Sequence, residues 1–149
     1  MSALVAFAHH LAAFALVSVL AIQLVLLRGE LTAPRARQVL AVDMALGIAA
    51  GLLLAAGLAR VFVFEKGSAY YFHSAPFLVK FSLFFVIGLL SAYPTVQFLR
   101  WRPALRQNRA PVVPDELRRR LRMIVHLELT GVLVIIFCAA LMAKGIGHF

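Results

Sequence analysis

The sequence is poor in several residue types, and each shortage excludes a class of protein. Of 149 residues only 6 are acidic and 14% are charged, whereas 63% are hydrophobic. This composition excludes a water-soluble domain of this size and indicates an integral membrane protein. The single cysteine, Cys138, excludes an intrachain disulfide, and its place in an apolar run predicts a small, buried hydrophobic side chain.

Motifs of common enzymes and of secretion are also missing. No nucleophile, base and acid arrangement, phosphate-binding loop or CxxC-type spacing occurs, so a hydrolase or kinase has no support. The first apolar run lacks a positive n-region and a small-residue cleavage site, and we expect it to be a retained helix. The net charge of +9 does not indicate nucleic acid, because Lys and Arg lie in short connections between apolar runs.

Four apolar runs are long enough to cross a bilayer as helices, over residues 4–27, 39–63, 77–99 and 123–143. Most of the 15 Lys and Arg residues lie in the connection 28–38 and in residues 100–122, which places both on the cytoplasmic side. The sequence therefore predicts an all-α, four-helix transmembrane bundle that forms one domain over 1–149. Both termini are expected on the periplasmic side.

Polar residues of these runs fall at two depths. The inner level holds Gln23, Asp43, His126 and Glu128. The outer level holds two histidines, two cations and two tyrosines that together favour an anionic ligand: His9, His10, Arg60, Lys80, Tyr70 and Tyr71. His73 lies at the same level, in a water-facing segment, and we expect it to be a surface histidine. The simpler interpretation is that the histidines bind headgroups, that Lys80 and Arg60 extend to the interface, and that the tyrosines belong to an aromatic belt.

Helical phase indicates which of these side chains face the bundle. His9 shares a face with Leu16, Leu20 and Gln23, which favours His9 as inward, whereas His10 lies about 100° away and stays a candidate. In the second helix Asp43 shares a face with Gly47, and the pattern Gly47-x-x-x-Gly51 predicts close approach of a neighbouring helix or a flat cofactor.

The inner level predicts a carboxylate–imidazole pair between the second and fourth helices. Asp43 and His126 would form it, as a structural contact or a proton relay. Glu128 points about 200° away from His126, which predicts that Glu128 faces the side of Arg122 or a second subunit.

Histidine at membrane depth suits two kinds of site. Imidazole ligates haem iron, so His9, His10 and His126 are candidate ligands, with Arg60, Lys80, Tyr70 and Tyr71 near the propionates. Imidazole also binds copper, for which Met1 and Met142 are available as soft ligands at the outer level. Both remain open, as does a scaffold subunit whose polar residues only pack.

The chain resembles a family of bacterial four-helix membrane proteins of unknown function. The residues that carry this likeness are Ala8-His9-His10-Leu-Ala-Ala-Phe, Arg60-Val-Phe-Val-Phe-Glu65-Lys66-Gly67, Tyr70-Tyr71, Lys80 and His126-Leu-Glu128. The chain is also distantly similar to the HemJ-type protoporphyrinogen oxidases and to the CopD-type copper-resistance membrane proteins.

The HemJ-type likeness implies haem b, which HemJ-type proteins bind. In those proteins a histidine near the start of the first helix and a lysine near the start of the third helix are essential. His9 or His10 and Lys80 occupy those places in this chain. We therefore expect a multi-pass protein of the bacterial inner membrane with a redox or porphyrin-related function. Lys80, Arg60 and Asp43 are the candidate catalytic residues, and a porphyrin, a quinone or another electron carrier is the expected partner. The CopD-type likeness implies copper handling instead, and homo-oligomerisation is left open.

Overall fold

The computed structural model describes residues 2–59, 62, 73, 75–144 and 146, and all its regular elements are helices. Four helices are long: α1 (Ser2–Arg28), α2 (Ala33–Ala59), α3 (Ala75–Leu99) and α5 (Asp115–Ala143). A short helix, α4 (Arg102–Arg106), lies in the connection between α3 and α5. Each long helix has the length and hydropathy to cross a membrane, which confirms the predicted all-α transmembrane architecture.

The second helix begins earlier than residue 39, so the predicted connection 28–38 is wrong. The connection is only residues 29–32, and Pro34 belongs to the first turn of α2. Proline is favoured there because the first backbone N–H groups of a helix have no partner within the helix. The hydroxyl of Thr32 accepts a hydrogen bond from the backbone N–H of Arg35 at 3.4 Å, as expected of a residue that caps the helix.

The last helix is one continuous element that begins before the membrane. It starts at Asp115, as the acidic pair Asp115 and Glu116 before the arginines predicts. Trp101, which follows α3, is buried in the protein and meets the ring of Phe98 edge to face at 5.0 Å.

Residues 29–32 and 100–114 are the connections at one end of the bundle, and the second of them is bonded to α2 by Arg37. Its guanidinium donates hydrogen bonds to the backbone carbonyl of Leu105, at 2.8 Å, and to the side-chain oxygen of Asn108. We call this the arginine-rich end. The prediction that this end is cytoplasmic stays a prediction.

The long helices pack as two pairs. α1 packs mainly on α2, α3 packs mainly on α5, and α1 also contacts α5, whereas α2 and α3 meet much less. The shared core includes Leu20, Leu27, Val39, Phe98 and Val125. Large apolar side chains such as Phe14 and Leu89 point out of the bundle, where a bilayer would cover them.

Candidate functional site

Polar side chains from α1, α2 and α3 meet at Asp43, in the half of the bundle nearer to the arginine-rich end. The side-chain amide of Gln23 donates a hydrogen bond to Oδ1 of Asp43 at 3.3 Å. The hydroxyl of Thr95 donates a second one to the same oxygen at 3.1 Å. Asp43 is half-buried. It contacts Gln23 in the bundle interior and also borders the space between α2 and α3.

The fourth long helix, α5, adds Glu128 to this group. Glu128 is 1% exposed, its side chain is hydrogen-bonded to Ser91 of α3, and its carboxyl group is close enough to Asp43 for electrostatic repulsion. We name these residues the carboxyl cluster: Gln23, Asp43, Ser91, Thr95 and Glu128. All four long helices therefore contribute to one polar site.

The carboxyl cluster contains buried acceptor atoms that the protein leaves unsatisfied. Oε1 of Gln23 and Oε1 of Glu128 have no hydrogen-bond partner among the described residues. Both side chains are 1% exposed. A buried polar atom without a partner costs free energy, so such atoms often mark a place where a ligand or an ion binds.

A groove of about 630 Å³ lies beside the carboxyl cluster, between α2 and α3. Asp43, Ser91 and Thr95 line its polar part, and Arg102 lies at the arginine-rich end of the groove. Gly47 and Gly88 line opposite walls, and a Cβ atom at either position would meet nothing within 4 Å.

Of the two alternatives predicted for Gly47 and Gly51, the close approach of a neighbouring helix is absent from the described part of the chain, and a flat cofactor stays a prediction. A Cβ atom at Gly51 would also meet no other atom within 4 Å. Small residues allow helices to approach, but they do not require it, and α2 and α3 are apart at these two glycines. The face of α2 that carries Asp43 and Gly47 is thus free to contact a ligand in the groove.

His9 lies on the packed face of α1, in agreement with the predicted helical phase. A Cβ atom built on Gly57 of α2 would lie 3.4 Å from Cε1 of His9, so the imidazole packs directly over that glycine. His10 is exposed, its Nδ1 lies 2.6 Å from the backbone oxygen of Ala6, and its ring meets His9 edge to face at 6.0 Å.

His126 faces away from the bundle, which makes the predicted Asp43–His126 pair wrong. It is exposed, and its Nδ1 lies 2.8 Å from the backbone oxygen of Arg122 in the same helix. The predicted direction of Glu128 is wrong as well, because Glu128 faces the bundle interior. The two side chains do point to opposite sides of α5, as predicted, but it is Glu128 and not His126 that faces the interior.

The outer level is only partly described. Lys80 is half-buried, and its Nζ lies 5.3 Å from the ring centroid of Phe77, which stacks on Phe81. Met142 packs against the same phenylalanines. His73 is exposed. Four residues of the predicted sites lie outside the described residues: Met1, Arg60, Tyr70 and Tyr71.

Metal-ligating side chains do not gather in the described residues. No group of three or more His, Cys, Asp or Glu residues that would hold a metal ion occurs there. Cys138 is a free, buried thiol, as predicted.

The fold and the cluster together define a multi-pass, four-helix membrane protein with a polar site inside its bundle. A family model described as "predicted membrane protein (DUF2214)" matches residues 1–147. The chain belongs to that family, which confirms the predicted membership of an uncharacterised membrane family. No curated protein and no solved structure matches the chain.

Proposed function

We propose that the protein binds haem b within its helical bundle through His9 and has a redox or porphyrin-related function. One observation carries the proposal. Of the four histidines that the structure describes, His10, His73 and His126 are exposed, and only His9 is turned into the packed part of the bundle. A haem is buried best when its ligand projects from a helix into a bundle.

The surroundings of His9 suit such a ligand. Gly57 faces the imidazole without a side chain of its own, so the ring can lie close to the backbone of α2. His10 is poorly placed by comparison, because one ring nitrogen already lies at the carbonyl of Ala6 and the side chain points outward. His126 is the ligand candidate that the geometry favours least.

Lys80 is the described residue that suits a propionate group. Its ammonium group lies over the face of Phe77, inside α3 but near its start, where a cation attracts a carboxylate. Arg60, Tyr70 and Tyr71 are proposed for the same role on the basis of sequence. When bound, haem supplies one-electron transfer, and its potential depends on the axial ligand and on burial.

The distant similarity to HemJ-type proteins is consistent with this assignment, since His9 or His10 and Lys80 occupy the places of their essential residues. On that basis we place the protein in the inner membrane and propose a porphyrin, a quinone or another electron carrier as its partner. Whether it acts as an oxidoreductase or as a passive electron carrier depends on that partner.

The test is an absorption spectrum of the detergent-purified protein, oxidised and then reduced with dithionite, after expression with haem supplied. We expect a Soret band and sharpened α and β bands in the wild type. His9→Ala should abolish them, whereas His10→Ala, the matched control one position away, and His126→Ala should keep them. Lys80→Ala should keep His9 as the axial ligand but lower the fraction of protein that contains haem.

Two other outcomes identify the alternatives. A colourless wild type contradicts the haem proposal. Metal analysis of the same sample then separates copper handling by His9, His10, His73 and Met142 from a scaffold subunit that binds neither cofactor.

A further inference from the structure

The carboxyl cluster is rich in acceptors and poor in donors. Ionised carboxylates only accept hydrogen bonds, and an amide oxygen only accepts as well. The donors that the described residues supply are the Gln23 amide, the Thr95 hydroxyl and the Ser91 hydroxyl. Oε1 of Gln23 and Oε1 of Glu128 stay unsatisfied in the interior. A ligand that satisfies both oxygens must therefore be a hydrogen-bond donor or a cation.

The described residues provide no cationic side chain that neutralises the cluster. The ion pairs of α5 join Arg118 to Asp115 and Arg120 to Glu116, near the start of the helix. His126 lies on the opposite side of α5, and Arg102 lines the groove at its arginine-rich end. α1 contributes only the neutral Gln23. Asp43 and Glu128 are thus two carboxyl groups that repel one another without a basic residue between them.

We propose that Gln23, Asp43 and Glu128 bind one small monovalent cation, either Na⁺ or a proton. Its ligands would be oxygen atoms, which hard cations prefer. The occupant would satisfy the two unpaired oxygens and remove the repulsion between the carboxylates. The groove between α2 and α3, with Asp43 in its wall, provides the route by which the cation reaches the site.

This site is separate from the proposed haem site. His9 contacts α2 at Gly57, fourteen positions and about 20 Å of helix away from Asp43. Failure of the haem proposal would leave the cation site untouched, and the experiment below uses no haem signal.

The experiment follows thermal unfolding of the full-length protein in lipid nanodiscs by the fluorescence of Trp101, the single tryptophan. NaCl is titrated against choline chloride at constant ionic strength, because a ligand that binds only the folded state raises Tm in a saturable way. We expect that rise in the wild type and its loss in Asp43→Asn and Glu128→Gln. Gln23→Leu should weaken the apparent affinity by about tenfold or more.

Glu116→Gln is the matched control. It makes the same substitution in the same helix, but its carboxylate is exposed. Asn and Gln keep the shape of the acids and can still accept the hydrogen bonds of Thr95 and Ser91. The readout therefore reports the charge and not a loss of fold.

A second arm distinguishes a proton from Na⁺. If Tm does not respond to Na⁺, an infrared spectrum of the wild type at neutral pH should show the C=O stretch of a protonated carboxyl group. Glu128→Gln or Asp43→Asn should remove that band, and Glu116→Gln should keep it. A wild type with neither a Na⁺-dependent Tm nor a protonated carboxyl band overturns the proposal.

Discussion

The two sides of α5 show how differently two ionisable residues behave when they lie two positions apart. Glu128 is buried in the bundle and joins the carboxyl cluster, whereas His126 points outward and its Nδ1 lies at the backbone oxygen of Arg122 in the same helix. Neither residue type is favourable in a bilayer. The difference shows that the positions of the neighbouring apolar residues around the helix decide whether a polar side chain faces the bundle interior or the outside.

The apolar residues of α5 explain this phase. Leu121, Val125 and Val132 are buried and are separated from Glu128 by seven, three and four positions, so they lie along one stripe of the helix. Thr130, Leu133 and Phe137 share the face of His126 and are exposed. When this apolar stripe of α5 packs against α1 and α3, Glu128 is therefore buried with it.

The largest expected effect comes from replacing one leucine on the buried side of α5 and one on its exposed side. Leu121→Ala should lower the free energy of unfolding by about 2–5 kcal/mol, because it removes fully buried methyl groups and leaves a cavity. Leu127→Ala, the same change on the exposed side, should stay within about 0.5 kcal/mol. Reversible unfolding in mixed micelles measures both. Equal losses would show that both sides of α5 are buried.

A glycine pair tests the contact between α3 and α5. A Cβ atom at Gly131 would lie 2.4 Å from Cδ1 of Ile87, so Gly131→Ala should cost about 1–3 kcal/mol through overpacking. Gly51→Ala meets nothing within 4 Å and should stabilise its helix by up to about 1 kcal/mol. The same unfolding assay gives both values, and a stabilising Gly131→Ala would contradict the described packing.

A pair of threonine variants tests the carboxyl cluster, and it has the smallest expected change in the free energy of unfolding. Thr95→Val removes the hydroxyl that donates to Asp43 and should cost about 1–2 kcal/mol. The hydroxyl of Thr130 donates only to the backbone oxygen of His126, so Thr130→Val should change stability by less than about 0.5 kcal/mol. If the two variants are equally stable, Thr95 contributes nothing to holding Asp43.

The sequence was sufficient for the number of long helices and for the phase of α1. Each run is apolar and long, and Leu16, Leu20 and Gln23 mark one clear face that includes His9. The start of α2 is misplaced in the sequence-based prediction because proline is typical of a helix break and is equally favourable in a first turn, where Pro34 lies. Local sequence does not separate these two roles.

The phase of α5 was misassigned for a different reason. The predicted Asp43–His126 pair turns His126 toward the interior, whereas the spacing of Leu121, Val125 and Val132 includes Glu128 in the apolar stripe. The separation of α2 from α3 depends on the packing of all four helices together, so the pattern at Gly47 and Gly51 was insufficient to predict it.

The measurement that tests the orientation of α5 most directly is a scan of spin labels along residues 121–137 of the protein in lipid bilayers. Each position is changed to Cys in a Cys138→Ser background, and the collision rate with dissolved oxygen, which concentrates in lipid, is recorded. The structure predicts maxima at positions 126, 130, 133 and 137 and minima at 121, 125, 128 and 132. A pattern with these maxima and minima exchanged would place His126 in the bundle and Glu128 in lipid, and would contradict the account.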